Sequence, residues 1–91
     1  MEIARVIGNV WATKKDEKLN GHKLLVLKVL LDKGKEKEDL IVASDIVGAG
    51  VGDLVLISRG SSARQAAGNM NAPIDTAVIG IVDSIEVFAD E

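Results

Sequence analysis

The segment Asp53-Leu54-Val55-Leu56-Ile57-Ser58 decides the class of fold, because its core of Leu, Val and Ile is bounded by turn-forming residues. This length and composition are typical of a short β-strand. Similar segments recur at residues 40–43, 76–82 and 84–88, each separated from the next by turn residues. Strands at this spacing are expected of a small sandwich or barrel, so the sequence predicts an all-β fold.

Two longer strands are predicted nearer the N-terminus. Residues 3–13 alternate loosely between apolar and polar side chains, and Gly8 interrupts them, which predicts a strand with a bend or bulge. Residues 24–31 form an almost continuous apolar run in which Lys28 is the single charged residue. This run predicts a strand that is covered on both faces.

One short helix is predicted within residues 60–68. Ser62 stands three residues before Gln65, which is the spacing of a capping box, and Gly68 occupies the position of a left-handed helix terminator. Pro73 then returns the chain to an extended conformation before the next strand. With 91 residues, the chain is expected to form one domain over residues 1–91.

The composition excludes several classes of protein. Hydrophobic residues make up 47% of the chain and charged residues 27%, which excludes a disordered chain, and the absence of cysteine excludes a disulfide scaffold or a thiolate metal site. The net charge of −3 gives no overall attraction for nucleic acid or for anionic lipid. We find neither a long apolar run nor a signal-peptide pattern, so a cytoplasmic protein without membrane contact is expected.

Charged residues concentrate in two connections between the predicted strands. Residues 14–18 and 32–39 together hold 12 of the 25 charged residues, with both signs mixed in each run. Mixed runs of this kind create no strong field, so we interpret them as solvated hairpin tips.

A glycine-rich cluster at residues 48–53 resembles a nucleotide-binding loop only superficially. A dinucleotide fingerprint needs a helix after the loop, whereas an apolar strand follows here, and no Lys-Ser or Lys-Thr pair completes a phosphate loop. A tight turn or a close backbone contact is the better interpretation. No cofactor is expected.

The helix start offers Ser61, Ser62 and Arg64, which allow two interpretations. The free amides and the guanidinium suit an anion, but the serines also suit helix capping, and Arg64 also suits an ion pair with Asp53 or Asp75. We favour the structural interpretation. A catalytic serine is not expected, because the single histidine is distant in sequence and no positioned base is evident.

Metal binding and nucleic-acid binding both lack the necessary residues. Four aspartates stand at strand boundaries, where Asp is a common turn former, and their spacing matches no known metal loop. A small barrel raises the alternative of a single-strand nucleic-acid module, but Trp11 and Phe88 are the only aromatic residues available for stacking on bases.

Five motifs in register resemble the EutN/CcmL family, whose members are vertex proteins of bacterial microcompartment shells. The match spans nearly the whole chain. The motifs lie at residues 8–14, 19–25, 45–53, 60–64 and 73–83. The resemblance implies a small OB-like β-barrel with one short α-helix and a structural role without catalysis. It also implies a homopentamer, with a hexamer as the alternative ring. The ring would close the corners of a shell in the cytoplasm, and hexameric shell proteins would form the rest of that shell.

The same resemblance implies where the subunits meet. The residues expected at the subunit interface or at the rim of the axial pore are Gly48, Ala49, Gly50, Gly52, Asp53, Gly60, Ser61, Ser62 and Arg64. Glycines suit such a place because copies of one loop that crowd an axis leave little room for side chains. The type of compartment stays open, and so do the ion-pair partners of Arg64 and Asp53.

Overall fold

The computed structural model describes residues 1–13 and 15–88. Two single-turn 3-10 helices, Glu17–Leu19 and Asp32–Gly34, lie in the charged connections. The other elements are, in chain order, β1 (Glu2–Val10), β2 (Lys23–Val29), β3 (Ile41–Asp45), β4 (Leu54–Arg59), α1 (Ser61–Ala66) and β5 (Thr76–Ile81).

The five strands close into a barrel with the order β1-β2-β3-β5-β4. Every neighbouring pair is antiparallel except β3 and β5, which run parallel where Ser44 lies opposite Ala77 and Asp45 opposite Val78. The prediction of an all-β, OB-like barrel with one short helix is therefore confirmed. The parallel pair needs a long crossover connection, which here includes β4 and α1.

The predicted bend in the first strand is a β-bulge. Val6 lies opposite Leu27 whereas Gly8 lies opposite Val26, so Ile7 is the extra residue. A bulge increases the local twist of the strand, which helps a sheet of only five strands to close.

Strand β2 buries one face and leaves the other half-covered. Leu25 and Leu27 point into the barrel and are fully buried, whereas Leu24, Val26 and Lys28 on the outer face are half-buried. The prediction that both faces would be covered is thus wrong for the single chain. The barrel interior is filled by Ala4, Val6, Leu25, Leu27, Val29, Ala43, Ala49, Val55, Ile57 and Val78.

A second, smaller cluster lies outside the barrel. Ala63 of α1 packs with Ala72 and Ile74 of the following connection and with Ala77 of β5. This cluster attaches the helix to the barrel. Small alanine side chains allow the helix to approach the strand closely.

Residues 84–88 do not form the predicted strand. They have no regular secondary structure, although apolar and polar side chains alternate there. Within residues 1–13 and 15–88, the five strands pair with one another in a closed barrel, and none of them pairs with this segment. A β-pattern without a partner cannot satisfy its backbone groups as a strand.

The helix begins without the predicted capping box. Its N-cap is Gly60, at φ 67° and ψ −140°, and no side chain caps it, so Ser62 lies inside the first turn instead of at its start. The predicted end is confirmed. Gly68 has φ 82°, and its N–H and that of Asn69 donate to the carbonyls of Gln65 and Arg64 in a Schellman motif.

Candidate functional site

The glycine loop, residues 46–53, is built around the carboxylate of Asp45. This side chain is fully buried at the end of β3. Its Oδ1 accepts hydrogen bonds from the backbone N–H groups of Val47 (3.0 Å) and Gly48 (3.2 Å), and its Oδ2 accepts one from Ala49 (2.9 Å). A carboxylate with three amide donors fixes the first half of the loop.

Lys23 and Asp53 complete the framework of the loop. The Lys23 ammonium donates to the carbonyl of Ala49 at 2.9 Å and lies 3.7 Å from the Asp45 carboxylate. Asp53 accepts a hydrogen bond from the Gly50 N–H at 2.8 Å, so its carboxylate shapes the loop, and it forms no ion pair with Arg64 among the described residues. The second half of the loop is thereby tied to the first.

The loop exposes some of its predicted contact residues and buries one. Gly48 and Gly52 are exposed and have positive φ values of 79° and 96°, which favour glycine at both positions. Gly50 is also exposed, and Val51 is 63% exposed. Ala49 is fully buried in the barrel core, so its side chain does not belong to the exposed surface of the loop.

The helix segment, residues 60–66, is held mainly by its arginine and by small side chains. Arg64 is half-buried, and its Nη1 donates to the backbone carbonyl of Ile74 at 3.2 Å. Among the described residues, Arg64 forms no ion pair with Asp53 or Asp75, the two carboxylates that the sequence offers as candidates. Ser61 and Ser62 are exposed, so their hydroxyls are available to a partner.

The two candidate segments lie at opposite ends of β4. Asp53 directly precedes this strand and Gly60 directly follows it, so about 23 Å of extended chain separates them at the usual rise per residue. The structure therefore does not bring the two segments into one site. They form two separate surfaces, one at each end of the barrel.

A salt bridge fastens the helix end of β4 to β1. The guanidinium of Arg59 pairs with the carboxylate of Glu2, and this hydrogen bond lowers the pKa of Glu2 below its usual value. Partial burial raises the same pKa, and the charges of Arg59, Lys37 and the N-terminal amine lower it further. The net direction is downward.

One serine and histidine pair was not predicted from the sequence. His22 Nδ1 lies 2.9 Å from Ser44 Oγ. Ser44 is 1% exposed, so a substrate cannot reach its hydroxyl in the way that nucleophilic catalysis requires. The pair instead links the turn before β2 to β3.

The part of the chain that the structure describes contains no cluster of three His, Asp or Glu side chains placed to bind a metal ion. Within the same ranges, no helix has the length and apolar character needed to span a membrane.

Comparisons with known proteins agree with this architecture. The family described as "Ethanolamine utilisation protein EutN/carboxysome" matches residues 1–83. The "Carboxysome shell vertex protein CcmL" of Synechocystis sp. is 45% identical over 96% of this chain and 87% of its own length. The "Bacterial microcompartment shell vertex protein PduN" of Salmonella typhimurium is 46% identical over 93% of this chain and 98% of its own.

A solved structure extends the agreement to three dimensions. The "GrpN pentameric microcompartment shell protein from Rhodospirillum rubrum" superposes with a TM-score of 0.86 at 45% identity. The alignment covers 97% of this chain and 100% of that one. The likeness therefore includes the barrel, the glycine loop and the helix segment.

Proposed function

The chain belongs to the EutN/CcmL family, and from this premise we propose that it is a structural protein of a bacterial microcompartment shell. In this role it forms a closed homopentamer that caps the vertices of the polyhedral shell. The observation that carries the proposal is the full-length likeness to a pentameric shell protein at 45% identity. The whole chain acts as one vertex domain, and its place is the shell inside the bacterial cytoplasm.

The five-fold ring follows from the geometry of a closed shell. Six-fold tiles alone form a flat layer, so a polyhedron needs five-fold units at its corners. A ring requires a heterologous interface, in which one side of a subunit binds a different side of the next and the rotation closes. Closing the ring with five copies is the function, and hexameric shell proteins are the partners that surround it.

The surface of the single chain supports assembly with other copies. Apolar side chains on the outer faces of the barrel are uncovered in the single chain, among them Val42, which is 47% exposed on β3. Burial of such side chains against a neighbour is the expected driving force of association.

We assign different roles to the two candidate segments. In a ring of barrels that stand side by side, opposite barrel ends face opposite sides of the shell, so only one segment can line a given rim. The exposed glycines 48, 50 and 52 suit the axial rim, where copies crowd together. Asp53 and the Ala49 backbone support that loop, while Gly60, Ser61, Ser62 and Arg64 lie at the other barrel end, where they contact a neighbouring subunit.

The alternatives to a shell protein are not favoured. A nucleic-acid module needs several aromatic side chains in a basic groove, and the chain has two aromatic residues in all. A small-anion site at the helix start is not favoured, because Arg64 already holds the Ile74 carbonyl and the helix has only six residues. The vertex role proposed here is structural, and it requires no enzymatic activity.

The first experiment measures the mass of the purified chain by native mass spectrometry and light scattering. We expect five times the chain mass of 9.6 kDa. A stable monomer would overturn the proposal, and a six-fold mass would change the symmetry of the ring.

The second experiment co-expresses the chain with a hexameric shell protein and examines the products by electron microscopy. Closed polyhedra are expected with the chain, and open sheets or tubes without it. Closed particles in both cases would contradict the proposed role at the vertices.

A further inference from the structure

The only two aromatic rings of the chain are both almost fully exposed. Trp11 is 92% exposed and Phe88 is 89% exposed. Each ring carries a large apolar area, and leaving both in water forfeits the stabilisation that burial of an aromatic side chain provides. A surface that covers one of them is therefore expected in the assembled protein.

Phe88 belongs to an apolar and acidic segment, residues 83–88, which we term the tail. The residue before the tail, Val82, donates its N–H to the carbonyl of Leu54 at 2.8 Å. Ile85 and Val87 alternate with polar residues and are 44% and 75% exposed. The tail contains two acidic residues, Asp83 and Glu86, and no basic one.

Trp11 borders a groove of complementary character, which we term the Trp11 groove. Its volume is about 320 Å³, and its lining includes the apolar residues Val10, Trp11 and Leu24 and the basic residues Lys15 and Lys23. The Lys15 ammonium donates to the carbonyl of Ala12 at 3.2 Å. Lys23 is engaged with Asp45, but among the described residues no carboxylate lies within ion-pair distance of Lys15. The groove therefore offers apolar contact and positive charge to an acidic apolar peptide.

The barrel topology places the tail and the groove at the same end but on different sides. Strand β4 is antiparallel to both β1 and β5, so β5 runs in the direction of β1, and both the tail and Trp11 follow the C-terminal ends of these strands. In the barrel order, β5 is not a neighbour of β1 or of β2, which form the groove. A cyclic rotation about an axis parallel to the barrel moves no atom along that axis, so the tail and the groove stay at the same height in every copy, as docking between neighbouring copies requires.

We propose that the tail of one copy docks in the Trp11 groove of a second copy and thereby links adjacent subunits of the ring. Ile85, Val87 and Phe88 cover the apolar floor of the groove, and the acidic side chains of the tail approach Lys15. The donor and acceptor surfaces differ, as a heterologous interface requires. This inference rests on the proposed assembly into a ring.

Trp11 is the only tryptophan of the chain, so its fluorescence reports directly on the groove. In the assembled wild type we expect emission at shorter wavelength than a free indole and weak quenching by acrylamide. In the full-length variant V87S/F88S we expect emission at longer wavelength and severalfold stronger quenching. The control L31S/L40S removes two exposed leucines in the charged connection at the other barrel end and leaves the emission unchanged. The inference is overturned if the wild-type pentamer emits at the wavelength of an exposed indole. It is also overturned if L31S/L40S changes the emission as much as V87S/F88S does.

Cross-linking identifies the donor and the acceptor chains, because the native chain has no cysteine. Ala12 lines the groove, so the full-length variants A12C and V87C are purified separately, mixed during assembly and treated with a short bismaleimide. We expect a cross-linked dimer with one chain of each variant, and none when L40C replaces A12C. A pentamer without the A12C–V87C product overturns the docking but leaves the proposed function intact. In the double variant A12C/V87C, a link that forms only within one chain also overturns the docking. A monomeric mass, by contrast, contradicts the proposed ring.

Discussion

The glycine loop and the helix segment flank the same strand, yet they are held by different forces. A buried carboxylate with three amide donors and a lysine fixes the glycine loop. The helix segment contains α1, a helix of six residues with a glycine N-cap and no side-chain capping. It is held by alanine packing and by one hydrogen bond from Arg64 to the Ile74 carbonyl. Since an isolated helix of this length is not stable in water, the helix segment depends on its packing. The comparison indicates a preorganised loop at one barrel end and a more adaptable surface at the other.

Replacement of Asp45 gives the largest expected effect, because it removes the centre of the glycine loop. In Asp45→Asn, the side-chain NH₂ group replaces one of the two oxygens that accept hydrogen bonds from the loop amides. A buried N–H donor then faces another donor and loses its acceptor. We expect a loss of about 3 kcal/mol in the free energy of unfolding, measured by urea denaturation. The matched control Asp39→Asn removes an exposed carboxylate and changes stability by less than about 0.5 kcal/mol. Equal stability of the two variants would show that the carboxylate does not hold the loop.

Replacement of Arg64 tests the other end of the comparison. Arg64→Ala removes the hydrogen bond to the Ile74 carbonyl, and we expect a loss of about 1.5–2 kcal/mol. Amide hydrogen exchange should accelerate within residues 60–75 and stay unchanged in the glycine loop. We also expect the oligomer to dissociate more readily, without any response to sulfate. Arg64→Lys keeps the charge but loses the planar donor group, so it should fall between the wild type and the alanine variant. Faster exchange in both regions would mean that the two ends are coupled.

Two glycines of the loop separate backbone strain from crowding at the ring axis. Gly48 has φ 79°, so Gly48→Ala should cost about 1 kcal/mol in any assembly state. A Cβ on Gly50 would meet only the Asp53 carboxylate, at an ordinary 3.9 Å, so Gly50→Ala should change stability by less than about 0.5 kcal/mol. If copies of the loop crowd the axis, Gly50→Ala weakens the pentamer in native mass spectrometry although the chain remains folded. An intact pentamer would remove Gly50 from the rim.

The smallest effect is expected at the ion pair near the helix end. Glu2→Gln should destabilise the chain by less than about 1 kcal/mol at neutral pH, because the pair is partly exposed to solvent. The pKa of Glu2 is lowered in the folded chain, so its contribution is present above the unfolded pKa and is lost as the pH falls through the folded pKa. The difference between wild type and variant, followed by thermal unfolding, should therefore disappear in acid. A difference that persists in acid would contradict a role of the carboxylate charge.

Local sequence patterns predicted most of the strands and one end of the helix. The bulge next to Gly8 and the strand after Asp53 follow from side-chain periodicity, and the terminator Gly68 follows from the backbone freedom of glycine. Both act over a few residues. The strand predicted at residues 84–88 was wrong because strand formation also needs a free neighbouring edge, which no local pattern reports. The helix start was wrong because Gly60 adopted a positive φ and took the N-cap position from Ser62.

The candidate site was only partly accessible to sequence reasoning. The glycines and serines at both ends of β4 were identified from their residue types. Asp45, which builds the glycine loop, is one of the four aspartates at predicted strand boundaries, and the sequence does not distinguish it from an ordinary turn former. Its three amide partners become evident only when the loop folds back over it. The sequence also does not predict that Arg64 donates to the carbonyl of Ile74. Every residue has a backbone carbonyl, so the residue type gives no sign of which one accepts the bond.

The sequence by itself determined the all-β class, the short helix and, through its motifs, the family. These depend on patterns within short segments and on their order along the chain. The tertiary structure alone decided that β3 and β5 run parallel, that Ala49 is buried, and that the two glycine-containing segments lie at opposite barrel ends. It also left Trp11 and Phe88 uncovered. The physical reason is that such outcomes depend on which distant surfaces meet when the barrel closes, and pairing between distant strands is set by the packing of the whole chain.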